Sequence, residues 1–143
     1  MTENTGVKQL GAPGSRGRTT VADVVVEKIA GMAARDVRGV YALGSGLARS
    51  MGSMRERMPG AGSGKSVTRG VSVEVGELQA AIDLEIVVDY GVSITDVAGA
   101  VRENVISAVE RMAGREVVEV NIMVSDVKLP EEEDEGEERQ RIQ

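Results

Sequence analysis

The side chains with the most chemical potential are carboxylates. Asp83, Glu85 and Asp89 occupy odd-numbered positions of one stretch, so an extended backbone sets all three on one face. Glu74 and Glu119 lie in flanking stretches with the same alternation. Paired carboxylates can act as general acid and base or hold a hard cation. Neither chemistry has its usual frame here. There is no D-x-[DN]-x-[DN]-G loop, and a flat sheet face has no cavity to exclude water, so solvated strand polarity explains the acids with less effort. Gly60-Ala-Gly-Ser-Gly-Lys-Ser66 has the look of a phosphate-binding loop, but G-x4-G-K-[ST] needs a glycine where this chain has Pro59. No apolar strand precedes the run and no apolar helix follows it, so its amides lack a scaffold. The chain contains no His and no Cys, which removes the common nucleophile–base pairs and most zinc sites. The reading is no catalytic residue, no metal site, no cofactor and no small-molecule substrate.

A different kind of chemistry remains. Residues 44–70 are Gly-rich and carry Arg49, Arg55, Arg57, Lys65 and Arg69 against the single acid Glu56. Leu47, Met51, Met54 and Met58 recur there at helical spacing, but the flanking glycines oppose a stable isolated helix, and the stretch reads as a flexible basic loop. The candidate interaction residues are therefore Arg49, Arg55, Arg57, Lys65 and Arg69 on one side and Glu74, Asp83, Glu85 and Glu119 on the other.

The elements that must position them follow from periodicity. Ile82, Leu84, Ile86 and Val88 alternate with the acids as a strand, and the Tyr90-Gly91 turn leads to Ser93 and Asp96 in capping-box spacing. Ile94, Val97, Val101, Val105, Ala108 and Met112 then form a helical stripe that Gly114 ends, and Val118, Val120, Ile122 and Val124 alternate as a second strand. Upstream, Thr20 and Asp23 repeat the capping spacing ahead of a stripe of Val21, Val25, Ile29 and Met32 that runs to about Arg35. Val71, Val73 and Val75 make a strand that turns at Gly76–Gln79 into the Ile82 strand. The expectation is an α+β fold: an α-β-β-α-β two-layer sandwich, with a three-stranded sheet, two helices on one face, and Val40–Leu43 as a candidate short extra edge strand. Residues 1–17 read as a disordered tail, 18–130 as the domain with its basic loop at about 44–70, and 131–143 as an acidic disordered tail.

The chain has 143 residues and a formal net charge of -6, and its aromatic residues are Tyr41 and Tyr90. One domain with an aliphatic core is expected, large enough to need no disulfide or metal. The absence of a membrane-length apolar run or a signal-peptide pattern points to the cytosol.

Four segments resemble the alkaline shock protein family of envelope stress response proteins: TTVADVVVEKIAGMAA (19–34), AIDLEIVVDYGVSI (81–94), VRENVISAVERMAG (101–114) and VVEVNIMVSDVKLP (117–130). The resemblance implies a small non-enzymatic α+β domain that self-associates at the inner face of the cell membrane. It also implies a membrane-anchored protein partner and a link to cell-envelope stress. It brings no catalytic residues to carry over. Beside it, like charges on neighbouring strands favour a cationic cover. The Arg49–Arg69 loop, of the same or a neighbouring protomer, is expected to lie over the acidic face or over the Glu131–Glu138 tail. The alternative is a KH-like nucleic-acid-binding protein, to which the strand order and the Arg-rich loop belong. The net charge, the lack of an aromatic platform and the missing G-x-x-G turn between helices weigh against it.

Overall fold

The computed structural model describes residues 11–44 and 68–132. Arg49, Arg55, Arg57, Lys65, the Gly60–Ser66 run, the first ten residues of the expected N-terminal tail and residues 133–143 lie outside the described residues. The elements run α1 (Asp23–Arg35), β1 (Val40–Leu43), β2 (Val71–Val75), β3 (Gln79–Asp89), α2 (Ile94–Ala113) and β4 (Glu116–Lys128). They form a two-layer α+β sandwich with a mixed four-stranded sheet. Ahead of α1, residues 11–20 are exposed, apart from which they form one 3-10 turn at Pro13–Ser15.

β3 is the central strand. One of its edges pairs in parallel with β4 along its whole length, from Gln79↔Glu116 to Asp89↔Lys128. The other edge is shared end to end by two short strands. β2 runs antiparallel to its first half (Val75↔Ala80 to Val71↔Leu84), and β1 runs antiparallel to its second (Leu43↔Ile86 to Val40↔Val88). Glu85 sits at the joint, its N–H donating to Gly70 O at 2.8 Å and its C=O accepting from Gly44 N–H at 2.7 Å. β1 and β2 thus behave as one edge strand, interrupted by residues 45–69, whose two stems meet across Glu85. The candidate edge strand at Val40–Leu43 is present and fills half of that edge.

β4 is the opposite edge, and its unpaired main chain is blunted. Arg102 Nε donates to Val120 O at 3.2 Å, Glu110 Oε2 accepts from Val117 N–H at 3.0 Å, and Asp126 Oδ1 accepts from Val127 N–H at 2.8 Å. Val118 and Ser125 are extra residues at the two register shifts against β3, so the strand is bulged on either side of its middle.

Both helices cover one face of the sheet, α1 over β1 and β2, α2 over β4, and each packs on the other. Ile82, Leu84, Ile86 and Val88 of β3 are 0–3% exposed and meet Val97, Val101, Val105 and Val109 of α2 in one aliphatic cluster. In α2 the expected stripe holds in the middle but shifts at its ends. Val109 is buried beside a half-buried Ala108, whereas Ile94 and Met112 overhang the core. Ser93 caps this helix, its Oγ accepting from Asp96 N–H at 3.4 Å, and Gly114 ends it in the left-handed conformation.

The α1 stripe requires correction. The core takes Val26, Ala30, Ala33 and Ala34, with Val21 and Ile29 of the expected stripe half-buried against it, whereas Val25 is 43% and Met32 58% exposed. The helix also starts at Asp23 with Ala22 as N-cap and no side-chain cap bond, so the Thr20–Asp23 capping box is not formed. The physical reason is close packing: α1 presents its small residues to α2, and Asn104 Nδ2 donates to Ala33 O across the seam at 2.7 Å. Asn104→Ala removes this bond and leaves a partly buried carbonyl without a partner, an expected loss of about 1–2 kcal/mol in urea denaturation. A loss no larger than that of the exposed Glu103→Ala would contradict this role.

Candidate functional site: the open face of the sheet

With the helices on one side, the odd-numbered residues of β3 point to the other. The registers give the cross-strand rows of that open face: Glu74–Ala81–Glu119, Ser72–Asp83–Asn121, Ala42–Val87–Asp126 and Asp89–Lys128, with Met123 beside Glu85. The four acids expected to act together, Glu74, Asp83, Glu85 and Glu119, do share one face. Asp89 and Asp126 extend it. Arg69 lies at the stem of the interrupted strand, half-buried.

Asn121 organises the centre. Its Nδ2 donates to Asp83 Oδ1 at 2.9 Å and to Glu119 Oε2 at 2.7 Å. One neutral amide thereby bridges two carboxylates that would otherwise only repel. Beside it an open groove of about 450 Å³ is lined by Gly70, Ser72, Asp83, Glu85 and Met123, with Val71 and Leu84. Met123 is 64% exposed and supplies the groove's apolar contact. At the far corner Tyr41, the extra residue where β1 shifts register, has the Lys128 Nζ 5.2 Å from its ring centroid, a cation–π arrangement. Val87 is 1% exposed in this corner yet stands outside the helix-side cluster.

The carboxylates are spread along strands, and among the described residues no three His, Cys, Asp or Glu are placed to hold a metal ion. No helix among them is long and apolar enough to cross a membrane. Sequence reasoning missed Asn121 as the bridge, Asp126 as a member of the face and Lys128 as its cation. The signal for Asn121 was its place two residues after Glu119; Asp126 and Lys128 were hidden because the Ser125 bulge breaks the alternation.

Comparison with known proteins finds a family described as "Asp23 family, cell envelope-related function" matching residues 12–129; the name is unconnected with residue Asp23 of this chain. The chain is 34% identical over 117 residues to the "Stress response regulator gls24 homolog" of several Streptococcus pyogenes strains, covering 82% of this chain and 62% of theirs. It is 33% identical over 113 residues to "Uncharacterized protein YqhY" of Bacillus subtilis, covering 79% of this chain and 78% of that one. The chain thus spans less than two thirds of the length of the streptococcal relatives. No solved structure matches it.

Proposed function

The chain belongs to the Asp23 family, the alkaline shock proteins that its four segments resemble, and from that premise we propose a non-enzymatic role in the envelope stress response. It acts as a self-associating scaffold at the cytoplasmic face of the cell membrane, held there by a membrane-anchored protein. The family's cell-envelope description and the stress-regulator name of the streptococcal relatives support the setting. The observation that carries the contact surface is the sheet face left open by the described residues, where, among them, Glu74, Asp83, Glu85, Asp89, Glu119 and Asp126 stand with Lys128. The stems of the segment bearing Arg49, Arg55, Arg57 and Lys65 emerge at its edge, at Glu85.

In this reading the acidic face of one protomer receives basic residues of a neighbour. Each exposed pair is worth about 0–1 kcal/mol and is screened by salt. The assembly is therefore reversible, tightening when many pairs form together.

The test is a pull-down from gently solubilised membranes at low and high salt. It compares the intact chain with a variant in which Gly-Gly-Ser replaces residues 45–67. The intact chain is expected to recover a small membrane-anchored protein and further copies of itself at low salt, and the variant to lose the copies. Unchanged self-association and salt dependence in the variant would remove the basic segment from the contact. Recovery of RNA alone would favour the nucleic-acid reading.

A further inference from the structure

α1 is apolar on two sides, and only one is used by the core. Val26, Ala30, Ala33 and Ala34 face the sheet and α2, while Val24, Val25 and Met32 are 46%, 43% and 58% exposed on the opposite side. Val21 and Ile29, half-buried, pack against the core between the two sides. A surface helix with a second apolar stripe pays a solvation cost that a partner surface would relieve.

Charge identifies that partner. Between residues 11 and 38 the cations Arg16, Arg18, Lys28, Arg35 and Arg38 stand against Asp23, Glu27 and Asp36, a local net charge of +2 on a chain of net -6. Lys28 and Arg35 are exposed on α1 with the stripe. On the opposite side of the molecule lies the acidic sheet face. Among the described residues the two sides differ in charge, with a cationic and apolar flank along α1.

We propose that α1 contacts an anionic lipid bilayer directly. The Val24, Val25 and Met32 side chains enter the headgroup region, Lys28 on the same side of α1 pairs with a lipid phosphate, and the acidic sheet face points away from the membrane. Apolar burial and basic flanks are the two contributions that hold an interfacial helix. A second copy fits the stripe less well. An antiparallel pair of α1 helices centred between Val25 and Met32 brings Lys28 towards its own symmetry mate. The inference rests on the membrane-face location proposed above but not on the anchored protein, since lipid alone is the ligand.

The experiment is flotation of the full chain with protein-free vesicles, either phosphatidylglycerol and phosphatidylcholine in equal parts or phosphatidylcholine alone. Binding is expected to the anionic vesicles only and to weaken with salt. Val25→Asp and Met32→Asp should each lower the bound fraction by about tenfold. Leu78→Asp, at an exposed leucine in the connection between β2 and β3, should leave it unchanged. Absence of binding to anionic vesicles overturns the proposal. So does equal weakening by Met32→Asp and Leu78→Asp. So does loss of self-association in Met32→Asp with vesicle binding intact, which assigns the stripe to a second copy. Recovery with an anchored protein from native membranes, but never with protein-free vesicles, overturns the lipid contact while leaving the scaffold reading standing. Both stripe residues are exposed, so retention of the wild-type circular dichroism spectrum checks that the variants are folded.

Discussion

Gly70→Ala is expected to destabilise the protein by about 3–5 kcal/mol, among the largest effects a single methyl group can have. Gly70 has φ +78°, and a Cβ built on it lies 2.4 Å from Gly44 N, 2.7 Å from Gly44 Cα and 2.9 Å from Glu85 O. All three are main-chain atoms of the joint where β1 and β2 meet on β3, so no side chain can swing aside. The left-handed backbone alone costs a non-glycine residue about 1–2 kcal/mol. The rest comes from prising apart the stems and losing the Glu85 N–H to Gly70 O bond. Gly114→Ala supplies the control. Gly114 has φ +68° but nothing within 4 Å of its Cβ, so its loss should stay near about 1–2 kcal/mol. Urea denaturation of the two variants separates the effects, and equal losses would show that crowding at the joint is unimportant.

Ile86→Ala is the second large effect, an expected loss of about 3–4 kcal/mol by the same measurement. Ile86 is fully buried, opposite Leu43 on one side and Val124 on the other. The core around it is built from Val, Leu, Ile and Ala held on strands and helices, so little of it can collapse into the space. Val87→Ala, one position along and almost as buried, removes less volume and lies on the open face, and should cost about 1–2 kcal/mol. If the two variants lost the same amount, the helix-covered face would not be the principal core.

Much of this fold was legible in the chain because period-2 and period-3.6 patterns are clean where one face is dry. β2, β3 and the middle of α2 fall where alternation puts them, and the Ser93 cap and Gly114 stop are formed. α1 misled because hydrophobicity weighs valine and methionine above alanine, whereas a close helix–helix seam selects small residues. Ala30, Ala33 and Ala34 are buried, so Val25 and Met32 of the stronger-looking stripe face outward while Val21 and Ile29 stay half-buried against the core. β4 extends beyond its legible part because its bulges at Val118 and Ser125 shift the phase of the pattern. On the candidate face, the shared side of Glu74, Asp83, Glu85 and Glu119 followed from residue parity alone. The Asn121 bridge and the meeting of Gly44 and Gly70 across Glu85 depend on strand register, which one strand's sequence does not specify.

That meeting of two stems also makes the fold modular. Because Gly44 and Gly70 are held side by side by the same residue of β3, the sheet senses the ends of what lies between them far more than its length. Doubling the length of an inserted segment adds only about 0.6 kcal/mol of closure entropy. A foreign sequence can be exchanged into the joint as a cassette, provided that its ends close onto Gly44 and Gly70.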